Sequence, residues 1–90
     1  MIGARPVILL VDDDESTLNT NAHALRLDGF ETVTATSAES ALRTLALQTP
    51  DAIIVDLDLP MTDGLDFMRT LRARTQHAGT PIALVTAVMR

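Results

Sequence analysis

Three unbroken apolar runs, Val7-Ile8-Leu9-Leu10-Val11, Ala52-Ile53-Ile54-Val55 and Ile82-Ala83-Leu84-Val85, divide the chain without polar alternation. Runs of this length and branching read as strands covered on both faces, as in a parallel sheet. Between them, apolar positions recur at three- and four-residue spacing, the period of a helix with one buried face. Leu18, Ala22 and Leu25, with Ala24 beside them, mark a first helix that Ser16 or Thr17 can cap and Gly29 can stop. Behind a Ser37 cap, a second helix carries Ala38, Ala41, Leu42, Leu45 and Ala46 on one face. It ends before Thr49-Pro50, because the residue preceding a proline disfavours helix. Leu65, Phe67, Met68 and Leu71 define a third helix, with Arg69, Arg72 and Arg74 on its solvated side. Phe30 to Ala35 alternates weakly as a further short strand, and His77-Ala78-Gly79-Thr80-Pro81 breaks the chain before the last run.

Strands and helices alternating at this spacing imply right-handed crossovers and an α/β doubly wound parallel sheet. Ligands bind such sheets beyond the carboxyl ends of the strands. The first run stops at Asp12, Asp13 and Asp14, the second at Asp56 and the third at Thr86, so polar groups from three strands meet at one edge. Carboxylates crowded there repel one another unless a proton or cation intervenes. Hard oxygen donors without histidine or cysteine suit magnesium, which keeps some of its waters and often shares a phosphate. Asp12 and Asp13 are the residues expected to hold the metal. Asp56, fixed by its strand, is the candidate nucleophile toward a phosphoryl group. The Thr86 hydroxyl is placed to hydrogen-bond a phosphoryl oxygen, with the small Ala87 after it.

Composition narrows the possibilities. Ninety residues suffice for one domain, and 47% hydrophobic residues supply its core. The net charge is −5 and all seven basic residues are arginines, a balance that argues against direct nucleic-acid binding. There are no cysteines, hence no disulfide or thiolate metal site, which agrees with a cytoplasmic setting. Apolar runs of strand length fall far short of the roughly 20 residues of a membrane helix, so no membrane role is expected. The N-terminal stretch does not resemble a signal peptide, since an acidic triplet directly follows the first run.

Val11-Asp12-Asp13, Asp56-Leu57-Asp58-Leu59-Pro60-Met61-Thr62-Asp63-Gly64 and Val85-Thr86-Ala87 together resemble the signatures of receiver domains of two-component response regulators. The resemblance covers residues 7–90, and the joint spacing of three motifs makes it specific. It implies a flavodoxin-like fold, with residues 1–90 as a single receiver domain. It also implies that Asp56 accepts a phosphoryl group from a sensor histidine kinase or phosphotransfer protein. By the same resemblance Asp13 and Asp56 ligate Mg2+ directly, Asp58 offers its backbone carbonyl, Asp12 acts mostly through water, and Thr86 reports the modification. Pro60 and Gly64 shape the adjoining loop, and the first helix offers Asn19, Asn21, His23 and Arg26 for partner recognition. The family also has a fifth strand carrying a lysine that pairs with the phosphate, and then a fifth helix. Against that pattern this sequence is expected to lack the fifth strand and fifth helix, ending after the fourth strand with no lysine.

Other readings stand beside this one. Asp14 and Glu15 read as surface or capping residues, Asp63-Gly64 as a turn, and His23 and His77 as surface histidines. A non-phosphorylated, receiver-like interaction module is the alternative function, favoured by the missing lysine. An aspartyl-nucleophile phosphatase of the haloacid dehalogenase type fits less well, because that family places its paired aspartates on the first strand. With the fourth strand as an open edge and the first helix short of a neighbour, a homodimer or domain-swapped oligomer is expected. Light scattering at high concentration checks this: a dimer or larger species is expected, and a monodisperse monomer contradicts it.

Overall fold

The computed structural model describes residues 5–56, 64–74 and 79–85. Four strands, β1 (Val7–Val11), β2 (Glu31–Ala35), β3 (Ala52–Asp56) and β4 (Ile82–Val85), form one sheet. Three helices, α1 (Glu15–Leu27), α2 (Ala38–Leu47) and α3 (Gly64–Ala73), alternate with them. All neighbouring strands are parallel and the order is β2-β1-β3-β4, the doubly wound arrangement expected from the sequence. The order reverses direction at β1 and β3, the strands that end in Asp12 and Asp56. Among the described residues no helix is long and apolar enough to cross a membrane.

The alternation of strand side chains separates two cores. Leu9, Val11, Ile53 and Val55 face α2 and α3, where Ala41, Leu45, Phe67 and Leu71 bury against them. Ile8 and Leu10 face the other way and pack on Leu18 and Ala22 of α1, with Leu25, Phe30, Ala52 and Ile54 partly buried around them. The two central strands are therefore apolar on both faces, which accounts for runs without alternation. At the amino end of the sheet Asp51 closes the β1–β3 pairing twice. Its backbone N–H donates to the Val7 carbonyl at 2.8 Å, and its carboxylate accepts from the Val7 N–H at 2.7 Å.

Several local expectations change. Asp14, not Ser16 or Thr17, caps α1: its carboxylate accepts from the Ser16 and Thr17 N–H groups at 3.0 and 3.4 Å and from the Thr17 hydroxyl at 2.8 Å. One carboxylate serving three donors starts the helix earlier than either hydroxyl would. Ser37 caps α2 as expected, in a reciprocal capping box with Ser40. Gly29 follows α1 with φ +95°, a conformation that favours glycine. Ala24 and Ala46 are exposed, and Leu65 is 41% exposed, so the apolar faces of their helices are narrower than the pattern implied. Arg72 is not simply solvated, since its guanidinium donates to the Thr80 carbonyl at 2.6 Å and ties α3 to the turn before β4. The Arg69–Asp66 pair is exposed and contributes little.

Leu45 is 1% exposed and Leu47, two residues on, 89% exposed. Leu45→Ala is expected to cost about 2–5 kcal/mol in urea unfolding, and Leu47→Ala less than about 0.5 kcal/mol. Asp14→Ala is expected to cost about 1 kcal/mol through loss of the cap. Comparable losses for the two leucine variants would contradict the core assignment.

Candidate functional site

Parallel pairing of β1 with β3 brings Leu10 beside Ile54 and Val11 beside Val55. One residue further along each strand come Asp12 and Asp56, so the register itself delivers two carboxylates side by side. Asp56 is the last residue of β3 and pairs with Val85, the last residue of β4. Both aspartates are buried, at 8% and 4% exposure, although their charged groups favour water. Asp13, the next residue along, is exposed and completes the group. Carboxylate oxygens of Asp12, Asp13 and Asp56 lie within 4.8 Å of one another.

Backbone contacts hold the cluster from behind. The Asp12 N–H donates to the Ala35 carbonyl of β2 at 3.1 Å, extending the β1–β2 ladder one step past the strand. The Asp12 carboxylate accepts from the Asp14 N–H at 3.0 Å, which turns the chain sharply toward α1. Asp14 is thereby directed away to its capping task. The sequence pattern placed Asp12, Asp13 and Asp56 at one edge, and the structure brings these three together. It did not reveal the Ala35 carbonyl or the Asx turn, because backbone partners leave no mark on residue type. Thr86, Asp58, Pro60, Asp63 and His77 lie outside the described residues, as do the structural expectations attached to them.

Two buried carboxylates with oxygens no more than 4.8 Å apart repel, when both are charged, by on the order of 3 kcal/mol at an effective dielectric of about 20. That cost is relieved by a divalent cation. The donor set is entirely hard oxygen, with two anions fixed by strands and a third at the rim, and this composition fits a magnesium ion that retains waters. The same chemistry disfavours zinc or copper, which prefer nitrogen and sulfur ligands.

A family model described as the response regulator receiver domain matches residues 8–90. The transcriptional regulatory protein PrrA of Mycobacterium tuberculosis is 38% identical over 82 residues, covering 91% of this chain and 34% of its own length. The alkaline phosphatase synthesis transcriptional regulatory protein PhoP of Bacillus subtilis is 36% identical over 80 residues, 89% of this chain and 32% of its own. The chain thus spans about a third of the length of the curated relatives it matches. Among solved structures, the chemotaxis response regulator CheY4 of Vibrio cholerae superposes with a TM-score of 0.89 at 30% identity, covering 97% of this chain and 72% of that one. That structural neighbour shares the flavodoxin-like fold seen here.

Magnesium is expected to raise the melting temperature of the wild-type chain, and EDTA to reverse the gain. In EDTA, Asp12→Asn is expected to be more stable than wild type by on the order of 1 kcal/mol, because one like charge is removed. A magnesium response unchanged by Asp12→Asn, Asp13→Asn and Asp56→Asn would contradict the cluster as its site.

Proposed function

We propose that this chain, which belongs to the response regulator receiver domain family, accepts a phosphoryl group on Asp56 from the phosphohistidine of a sensor histidine kinase or phosphotransfer protein. The observation that carries the reading is the meeting of Asp12, Asp13 and Asp56 oxygens within 4.8 Å at the carboxyl edge of a parallel sheet. The family membership is that of a signalling domain in two-component systems. Phosphoacceptance, the magnesium requirement and the residue roles extend that membership to particular side chains.

In this reading an Asp56 carboxylate oxygen attacks phosphorus in line, the phosphorus–nitrogen bond to the donor histidine breaks, and an acyl phosphate forms on Asp56. The imidazole leaves with the bonding electron pair and takes up a proton. Burial at the end of β3 fixes the attacking oxygen and limits competing water. Asp13 and Asp56 would hold magnesium directly, Asp12 mostly through water, and Asp58 by its backbone carbonyl, as the family resemblance implies. Bound there, magnesium supplies neutralisation of the charge carried by the transferring oxygens. Asp12, held by the Ala35 carbonyl and the Asp14 N–H, keeps its carboxylate oriented toward that position. The Thr86 hydroxyl, one residue past the β4 position paired with Asp56, donates to a phosphoryl oxygen.

Residues 1–90 act in this reading as one receiver unit, in the cytoplasm, modified on itself and turning over no separate substrate. The relatives' printed names describe transcriptional regulators. Because the chain matches only about a third of their length, a role in transcription is proposed for a larger protein of this type, without nucleic-acid contact by residues 1–90.

Incubation with acetyl phosphate and magnesium, followed by intact-mass measurement, tests the proposal. The wild-type chain is expected to gain the mass of one phosphoryl group, while Asp56→Asn gains none and EDTA suppresses the adduct. An equal adduct on Asp56→Asn, or none on the folded wild type, overturns the assignment.

A further inference from the structure

At the pole of the sheet opposite the aspartates, a groove of about 340 Å³ runs along β2 and the end of α1. Arg5, Arg26, Phe30, Thr32, Val33 and Gln48 are among the residues that line it. β2 is a terminal strand of the sheet, so one of its edges is unpaired among the described residues. The hydrogen-bond polarity identifies that edge. The Glu31 N–H donates to Pro6 and the Ala35 carbonyl accepts from Asp12, so residues 31, 33 and 35 point their backbone groups toward β1. By alternation, the N–H and C=O groups of Thr32 and Thr34 point outward. A free row of this kind is a template for an added strand.

The two faces beside this edge differ in chemistry. Thr32 is in register with Ile8 and shares its α1-side face, where Arg26 also lines the groove. Among the described residues the buried Thr32 hydroxyl makes no hydrogen bond, an arrangement that is costly. Arg5 and Arg26 make no ion pair among the described residues, and they outnumber the one acid of the groove, Glu31. Val33 is in register with Leu9 and packs toward the α2-side core. Leu27, 74% exposed, follows Arg26 at the end of α1, and Leu47, 89% exposed, precedes Gln48 at the end of α2. Both helices run back against the strands, so these two leucines stand at the same pole as the groove.

We infer that the outer edge of β2 is a docking site for an extended acidic segment of a protein partner, which adds as a strand with carboxylates on the Thr32–Arg26 side and apolar side chains on the Val33 side. Charge complementarity selects this occupant: in a chain of net charge −5, the groove gathers two guanidiniums against one acid, with no ion-pair partner among the described residues. The backbone groups of Thr32 and Thr34 supply the ladder, and the alternation of the two faces supplies the acid–apolar period. The site is separate from the carboxylate cluster and does not depend on modification of Asp56.

The test uses the full 90-residue chain, labelled with nitrogen-15, and an end-blocked hexapeptide of sequence Glu-Val-Asp-Val-Glu-Val. Saturable amide shifts are expected at Thr32 and Thr34. The Arg5→Gln/Arg26→Gln double variant is expected to weaken binding by about tenfold or more. N-methylation of alternate peptide residues is expected to abolish it on the wild-type protein, a control that does not depend on any variant folding. Absence of shifts at β2 overturns the inference, as does equal binding of a Lys-for-acid control peptide. Free glutamate saturating the same shifts at the same concentration overturns it in favour of a simple anion site. Peptide-independent self-association through β2 overturns it in favour of a second copy of the chain.

Discussion

Mutual repulsion of carboxylates at the end of β1 and β3 is the constraint around which the rest of the structure is arranged. Asp12 and Asp56 are buried at neighbouring ends of paired strands, and Asp13 adds a third charge at the rim. Left alone, the cluster opposes the fold; neutralised by a cation, it becomes a rigid oxygen platform. The apolar faces of β1 and β3 provide the surrounding stability. Leu9, Val11, Ile53 and Val55 are each no more than 1% exposed, directly behind the charged ends. A close-packed core of this kind holds the strand ends where electrostatics alone would separate them.

The division of labour among consecutive aspartates follows from the geometry of the β1–α1 turn. Asp12 continues the ladder through its N–H and accepts the Asp14 N–H, Asp13 is left at the rim, and Asp14 caps α1. Three residues of one type thereby perform three different tasks within a single turn. The cap also places an anion at the amino end of α1, where the helix dipole favours it. At the opposite pole Arg5 and Arg26 stand beside a strand edge. The molecule thus separates a carboxylate cluster from a strand edge flanked by two guanidiniums and exposed leucines.

Much of this was legible in the sequence because buried parallel strands impose a simple pattern. The runs at 7–11, 52–55 and 82–85 correspond to strands, and the acids that end the first two located the cluster without any contact information. Asp56 proved to be part of β3 itself, paired with Val85, which ties it to β4 as well as to β1. What the pattern missed were features decided by competition between neighbours. Asp14, Ser16 and Thr17 all read as caps, and only the folded chain decides among them, because the Asp14 carboxylate reaches the N–H groups of the other two. Arg72 sits on a polar stripe, yet its length lets it reach the Thr80 carbonyl across the gap to β4. Ala46 keeps the helical period but falls outside the face that the sheet covers.

The central claim is that three carboxylates, contributed by two strand ends, act as one cation site. It is tested most directly by carbon-13 NMR of the side-chain carboxyls in aspartate-labelled protein during a magnesium titration. The signals of Asp12, Asp13 and Asp56 are expected to move together and saturate at one common concentration, while that of Asp51, at the far end of β3, stays still. Independent titration of the three, or a response at Asp51 equal to theirs, would contradict it.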